Sequence, residues 1–159
     1  MRKGLAIAVT SAVAAGAVAL PAGAATNKRG ERSFTERLSG TRLSSSGNRF
    51  EDLFRIKRSL DGGGAAIYDV QLNGTTYPVS AEGSMIAFFR DGARNTRDTF
   101  KLLAPGTDGI GSIAGNGTCV GGTGLHKFET CTYRIKGNYN VVTGVTFMTL
   151  TGTDTRRIT

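Results

Sequence analysis

The chain carries a single histidine and two cysteines, a scarcity that removes most metal and nucleophile chemistry at once. His126 with Cys119 and Cys131 leaves a zinc site one ligand short unless a carboxylate joins, and no Cys-x-x-Cys spacing is present. One histidine with neither a Gly-x-Ser-x-Gly turn nor another matched nucleophile makes no hydrolase triad. No phosphate loop and no dinucleotide fingerprint occurs, so nothing points to a bound cofactor or a metal. No segment sustains a helical period, and beyond Leu20 no apolar run is long enough to span a bilayer.

What is present begins with a processing segment. Arg2 and Lys3 precede an uncharged run from Gly4 to Leu20, then Pro21 and the small residues Ala22-Gly23-Ala24-Ala25, the pattern of a secretory signal peptide over residues 1–25. A permanent anchor fits less well, because the run is rich in Ala and Gly and short for a bilayer. Cleavage leaves about 134 residues, the usual size of one domain with its own core. Residues 26–32 are polar and charged and read as a flexible basic leader. Residues 33–159 then form the single domain of an exported protein.

The formal charge of +8 is uneven along the chain. Residues 28–58 hold nine basic and four acidic side chains, whereas 59–159 hold nine and eight. A basic N-terminal arm of this kind offers contact with an anionic cell-envelope polymer. Nucleic acid is disfavoured as a partner, because no Arg/Lys run is interleaved with aromatics in a recognisable motif.

Glycine is plentiful, 23 of 159 residues, and punctuates short β-type runs. Phe34 to Arg42 and Arg49 to Leu60 read as strands around the turn-rich Ser44-Ser45-Ser46-Gly47-Asn48. Phe50, Phe54 and Ile56 share one parity, with Asp52 interrupting it. In Ala65 to Ala81, Ala66, Tyr68, Val70 and Leu72 alternate with Ile67, Asp69 and Gln71 before Asn73-Gly74, which predicts a two-residue hairpin turn. Pro78 marks an edge, a bulge or a strand end. Ser84 to Arg90, Thr96 to Leu103, Ile110 to Gly115 and Val142 to Thr151 follow as strands, with Asn116-Gly117 read as a second tight hairpin. Eight or nine short strands predict an all-β antiparallel sandwich or an up-and-down barrel, and the hairpin-short connections favour an eight-stranded barrel.

Two further runs, Thr118 to Val120 and Phe128 to Ile135, flank Gly121-Gly122-Thr123-Gly124 and place Cys119 opposite Cys131 if the pairing is symmetric about residue 125. In an exported chain such a pair reads most simply as a disulfide.

The stretch Gly115 to Tyr139 joins a Gly-rich lead, a strand, Gly-Gly-Thr-Gly and a strand ending Tyr133-x-x-x-Gly137-x-Tyr139. It resembles the allene oxide cyclase-like and dirigent-like barrel proteins. The resemblance implies an eight-stranded barrel, often trimeric in plant members, whose apolar cavity binds a hydrophobic small molecule and steers its cyclisation or isomerisation without a cofactor. Where those proteins follow the turn with an aromatic and a Gly-Ala-x-Gly-like kink, this chain has Phe128-Glu129-Thr130-Cys131. The cysteine pair takes the place of that kink, and no plant catalytic residue maps onto a matching position.

Such a pocket needs an acid or base, a group to orient oxygen, and apolar walls. Asp69, Glu82, Arg90, Tyr68 and Tyr133 are the candidates. The better reading of Asp69 is an outward residue on the wet face opposite Tyr68, Val70 and Leu72, and Glu82 with Arg90 also read as rim charges at the two ends of a strand. Tyr133 should share the face of Cys131, with its hydroxyl at the surface. His126 reads as a solvent-exposed loop residue, and Arg94, Arg97 and Lys101 with Asp91 and Asp98 as an ordinary charged face. The competing function is a non-catalytic exported protein that binds the cell envelope.

Overall fold

A computed structural model describes residues 29–58 and 62–157; the expected signal peptide over residues 1–25 and its expected cleavage site lie outside the described residues. Eight strands form in chain order: β1 Arg29–Ser46, β2 Arg49–Arg58, β3 Gly64–Asn73, β4 Val79–Phe89, β5 Gly92–Leu102, β6 Ile110–Gly122, β7 Thr130–Asn140 and β8 Val145–Arg157. Each pairs antiparallel with its neighbours in sequence, and β8 returns to β1 to close the barrel. Closure removes both sheet edges, which every open arrangement would have to protect.

Alternation along each strand decides what fills the interior. On β2, Phe50, Asp52, Phe54 and Ile56 point inward; on β3, so do Ala66, Tyr68, Val70 and Leu72. On β5 the inward set is Arg94, Thr96, Asp98, Phe100 and Leu102. The supposed charged face is therefore split: Arg97 and Lys101 stand outside, while Arg94 and Asp98 are buried.

Four local expectations need correction. Residues 29–32 of the expected leader belong to β1, in register with Arg157 through Asp154. Asn73-Gly74 is not a two-residue turn: Asn73 pairs with Ser80 across a longer loop, and Pro78 ends that loop just before β4. Asn116-Gly117 is no turn at all but lies inside β6. Gly117 is small there because a Cβ would overlap the Asp98 carboxylate and the Tyr133 ring. Finally, His126 is fully buried.

The two ends of the barrel differ. At one end the segment between β6 and β7 folds back over the opening through a short 3-10 turn, Gly124–His126. Thr123 N–H donates to Ala93 O at 2.7 Å, and Leu125 N–H donates to Asp91 O at 3.1 Å. The Cys119–Cys131 disulfide, Cα–Cα 4.8 Å, clasps the base of this cap. The other end, where β1–β2, β3–β4, β5–β6 and β7–β8 connect, remains an open mouth. Replacing both cysteines by serine should cost about 2 to 3 kcal/mol, the entropy of so short a loop. Urea denaturation of the oxidised and double-serine chains measures it, and equal midpoints would contradict the prediction.

Candidate functional site

The mouth opens into a cavity of about 280 Å³. Phe50, Phe54, Val70, Leu72, Phe100, Leu102, Ile113 and Met148 supply apolar walls, and Tyr68 lies at its depth. Tyr77 and Tyr139 stand at the rim, where the Tyr139 hydroxyl donates to Leu103 O at 2.7 Å.

Asp52 is the carboxylate of this cavity. It is 3% exposed, and Arg42 Nε donates to its Oδ1 at 3.3 Å. The Arg42 guanidinium lies 3.9 Å from the centre of the Phe50 ring, so one aromatic face holds the cation in place. Burial raises the Asp52 pKa, and Arg42 offsets only part of that rise. A buried carboxyl whose hold on its proton is strengthened in this way, facing a cavity, is the kind of group a general acid or base requires.

Beneath the cavity lies a polar layer. The Tyr133 hydroxyl donates to Asp98 Oδ1 at 2.6 Å, and Tyr68 approaches the same carboxylate closely enough to be affected by it. Among the described residues the buried Tyr68 hydroxyl nevertheless completes no hydrogen bond. Burial pushes Asp98 up to about 6 against the lowering effect of Tyr133, Tyr68 and Arg94. Burial, followed by the Asp98 charge, pushes both phenols upward. Gly83 and Gly117 face this layer because a Cβ at either would overlap a tyrosine ring.

Deeper still, under the cap, Arg94 and Glu36 form a two-pronged ion pair, with Nη1 donating to Oε1 at 3.0 Å and neither side chain exposed. Glu129 lies 3.8 Å from Arg94 and also bonds His126 Nδ1. His126 Nε2 meets Asp91 at 3.0 Å. Among the described residues no cluster of His, Cys, Asp and Glu could hold a metal ion. The two carboxylates around His126 occupy opposite nitrogens of its ring.

Of the five candidates from sequence, the structure brings two inside. Tyr68 lines the cavity and Tyr133 lies below it, with its hydroxyl buried rather than at the surface. Asp69 and Glu82 are outward, in a shallow depression of the outer wall of about 620 Å³. There Asp69 pairs with Arg49, which holds its carboxyl below the usual range. Arg90 is exposed at the β4–β5 turn of the capped end, away from the cavity. The residues that sequence reasoning missed are Asp52, Arg42, Asp98, Arg94 and Glu36. Parity was the signal for Asp52, which shares the face of Phe50, Phe54 and Ile56, and for Asp98, which shares that of Phe100 and Leu102.

These features define a closed eight-stranded up-and-down barrel with one end capped, one end open and a buried carboxyl in the open cavity. No family model, no curated protein and no solved structure matches the chain.

Proposed function

We propose that the barrel is exported and binds one small, largely apolar molecule through its mouth, with Asp52 positioned to exchange a proton with that molecule. The observation that carries this reading is the buried Asp52 carboxyl in the wall of a cavity whose aliphatic and aromatic side chains share the lining with Arg42, Ser45, Asn140 and Thr146. Cofactor-free isomerisation or ring closure is the chemistry it fits. Asp52 supplies the proton transfer, Arg42 steadies the carboxylate form, and the aromatic walls exclude water. The resemblance around Gly121-Gly122-Thr123-Gly124 supports the same reading, and the disulfide supports an oxidising compartment. Self-association belongs to this proposal too: Leu53, Ile67 and Ile86 are exposed and adjoin one another in register on the outer wall.

The test is a titration with 8-anilinonaphthalene-1-sulfonate, an apolar fluorophore with one charged group. Leu72 is half-buried at the mouth, so Leu72→Trp fills the cavity while adding little strain to the core. Affinity should fall at least about tenfold, the loss of about 1.4 kcal/mol of contact, with the thermal midpoint nearly unchanged. Equal affinity in both proteins would remove the cavity as the binding site. Asp52→Asn then separates catalysis from carriage: a variant that binds without turnover supports the acid–base role, whereas turnover unaffected by the change removes it.

A further inference from the structure

The register of the barrel gathers cations that lie far apart in sequence into one line on its outer wall. Lys101 of β5 pairs with Ala114 of β6, Ala114 with Lys136 of β7, and Lys136 with Thr149 of β8. Thr149 pairs with Arg37 of β1, and Arg37 with Lys57 of β2. Lys101, Lys136, Arg37 and Lys57 are all exposed. The row on one side adds Arg134 between Asn116 and Thr151, and the row on the other adds Arg55 beside Ser39. Among the described residues the three rows contain no acidic side chain. Of the outward acids on the strands, Glu51, Asp69 and Glu82 lie on β2 to β4, and Glu31 of β1 pairs with Thr155 beyond the three rows.

Geometry selects among anionic partners. Neighbouring strands are about 4.8 Å apart, so Lys101, Lys136 and Arg37 follow one another at about 10 Å, and Lys57 stands directly beside Arg37. The row crosses six of the eight strands and so curls around a convex wall. A flat membrane or a straight duplex can touch only the part that faces it, whereas a flexible chain can follow the whole row. Between the cations stand Thr35, Ser39, Asn116, Thr149 and Thr151, which suit hydrogen bonds to hydroxyls. Bases would find little to stack on, since Phe147 is the one exposed aromatic in these rows.

We propose that the outer wall binds a flexible polyol phosphate of the cell envelope along the row Lys101, Lys136, Arg37 and Lys57. The contact expected of a basic N-terminal arm thereby moves onto the folded wall. Arg32 of that arm is already engaged by a two-pronged pair with Asp154. This site is separate from the mouth cavity, and either can exist without the other.

The experiment measures binding of the full secreted chain to poly(glycerol phosphate). The comparators are a thymidine oligonucleotide and a DNA duplex of matched charge, and phosphatidylglycerol vesicles. Poly(glycerol phosphate) should bind at least about tenfold tighter than each comparator, and binding should weaken steeply between about 50 mM and about 300 mM salt. Charge reversal at two exposed positions, K136E with R37E, should weaken it by at least about tenfold, and R90E on the capped end should leave it within about twofold. K101E with K136E is the second pair, should the first impair folding. The comparison of polymers on the unmodified chain decides without either. Absent or salt-insensitive binding, an equal or tighter hold on nucleic acid or vesicles, or indifference to both charge reversals would overturn the proposal.

Discussion

Replacing Arg94 by methionine is expected to destabilise the barrel by about 3 to 5 kcal/mol, the usual cost of leaving a buried charge without its partner. Arg94 has no exposed surface and holds Glu36 by two bonds, with Glu129 3.8 Å away. Burial alone would lower its pKa, but the bonds to Glu36 and the charges of Glu36 and Glu129 more than offset that and raise it. Methionine fills much of the same volume, so the cost comes from the buried Glu36 carboxylate, which loses both bonds to Arg94, rather than from a void, while Glu129 keeps its bond to His126. The double variant Arg94→Met with Glu36→Gln should recover a large part of the loss, because it removes the buried charge together with its partner. Urea denaturation measures both. A cost below about 1 kcal/mol for the single change would mean that water reaches the pair and the cap is not closed. The same change should loosen the cap first, since Glu129 connects Arg94 to His126 in the turn that covers the barrel end. Faster amide exchange at Leu125 and His126 would show it.

How far the chain discloses this arrangement depends on which force decides each residue. Alternation is a local property, and it made the barrel legible: Ala66, Tyr68, Val70 and Leu72 face inward as their parity says. The disulfide was legible for the same reason, since Gly117 pairs with Tyr133 and Thr118 with Thr132, a register symmetric about residue 125. Where polar residues broke the apolar pattern, residue type was followed and parity was not. Asp52, Arg94 and Asp98 are inside because each finds its partner on another strand: Arg42 on β1, Glu36 on β1 and Tyr133 on β7. Nothing within ten residues of Arg94 announces Glu36, which lies 58 positions away. Asn116-Gly117 misled for a related reason. Its glycine answers to crowding by Tyr133 and Asp98 rather than to a positive φ. His126 was hidden because it is buried by the closing of the cap, a long-range event held by Asp91 and Ala93.

The second large effect is on pH. Asp98 has a carboxyl pKa raised by burial from an ordinary 3.8 to about 6. The native state therefore binds the Asp98 proton more readily than the unfolded chain between those values. Stability from this group falls as pH rises through that window, and the full penalty, about 3 kcal/mol, is present above it. Asp52 is raised for the same first reason, burial, and acts in the same direction. Asp69, lowered by Arg49, acts in the opposite direction, but it is on the exposed wall and solvent weakens its contribution. Asp98→Asn removes the ionisable group while keeping an oxygen to accept the Tyr133 hydroxyl. The variant should be more stable than the unmodified chain at pH 8 by up to about 3 kcal/mol, less whatever the charged hydrogen bond contributed. It should be no more stable at pH 4. Urea midpoints across that range decide the matter. A stability gap between the two proteins that is constant with pH would show that Asp98 is not the group responsible. A variant less stable at pH 8 than the unmodified chain would mean that the Tyr133 bond outweighs the burial of the charge.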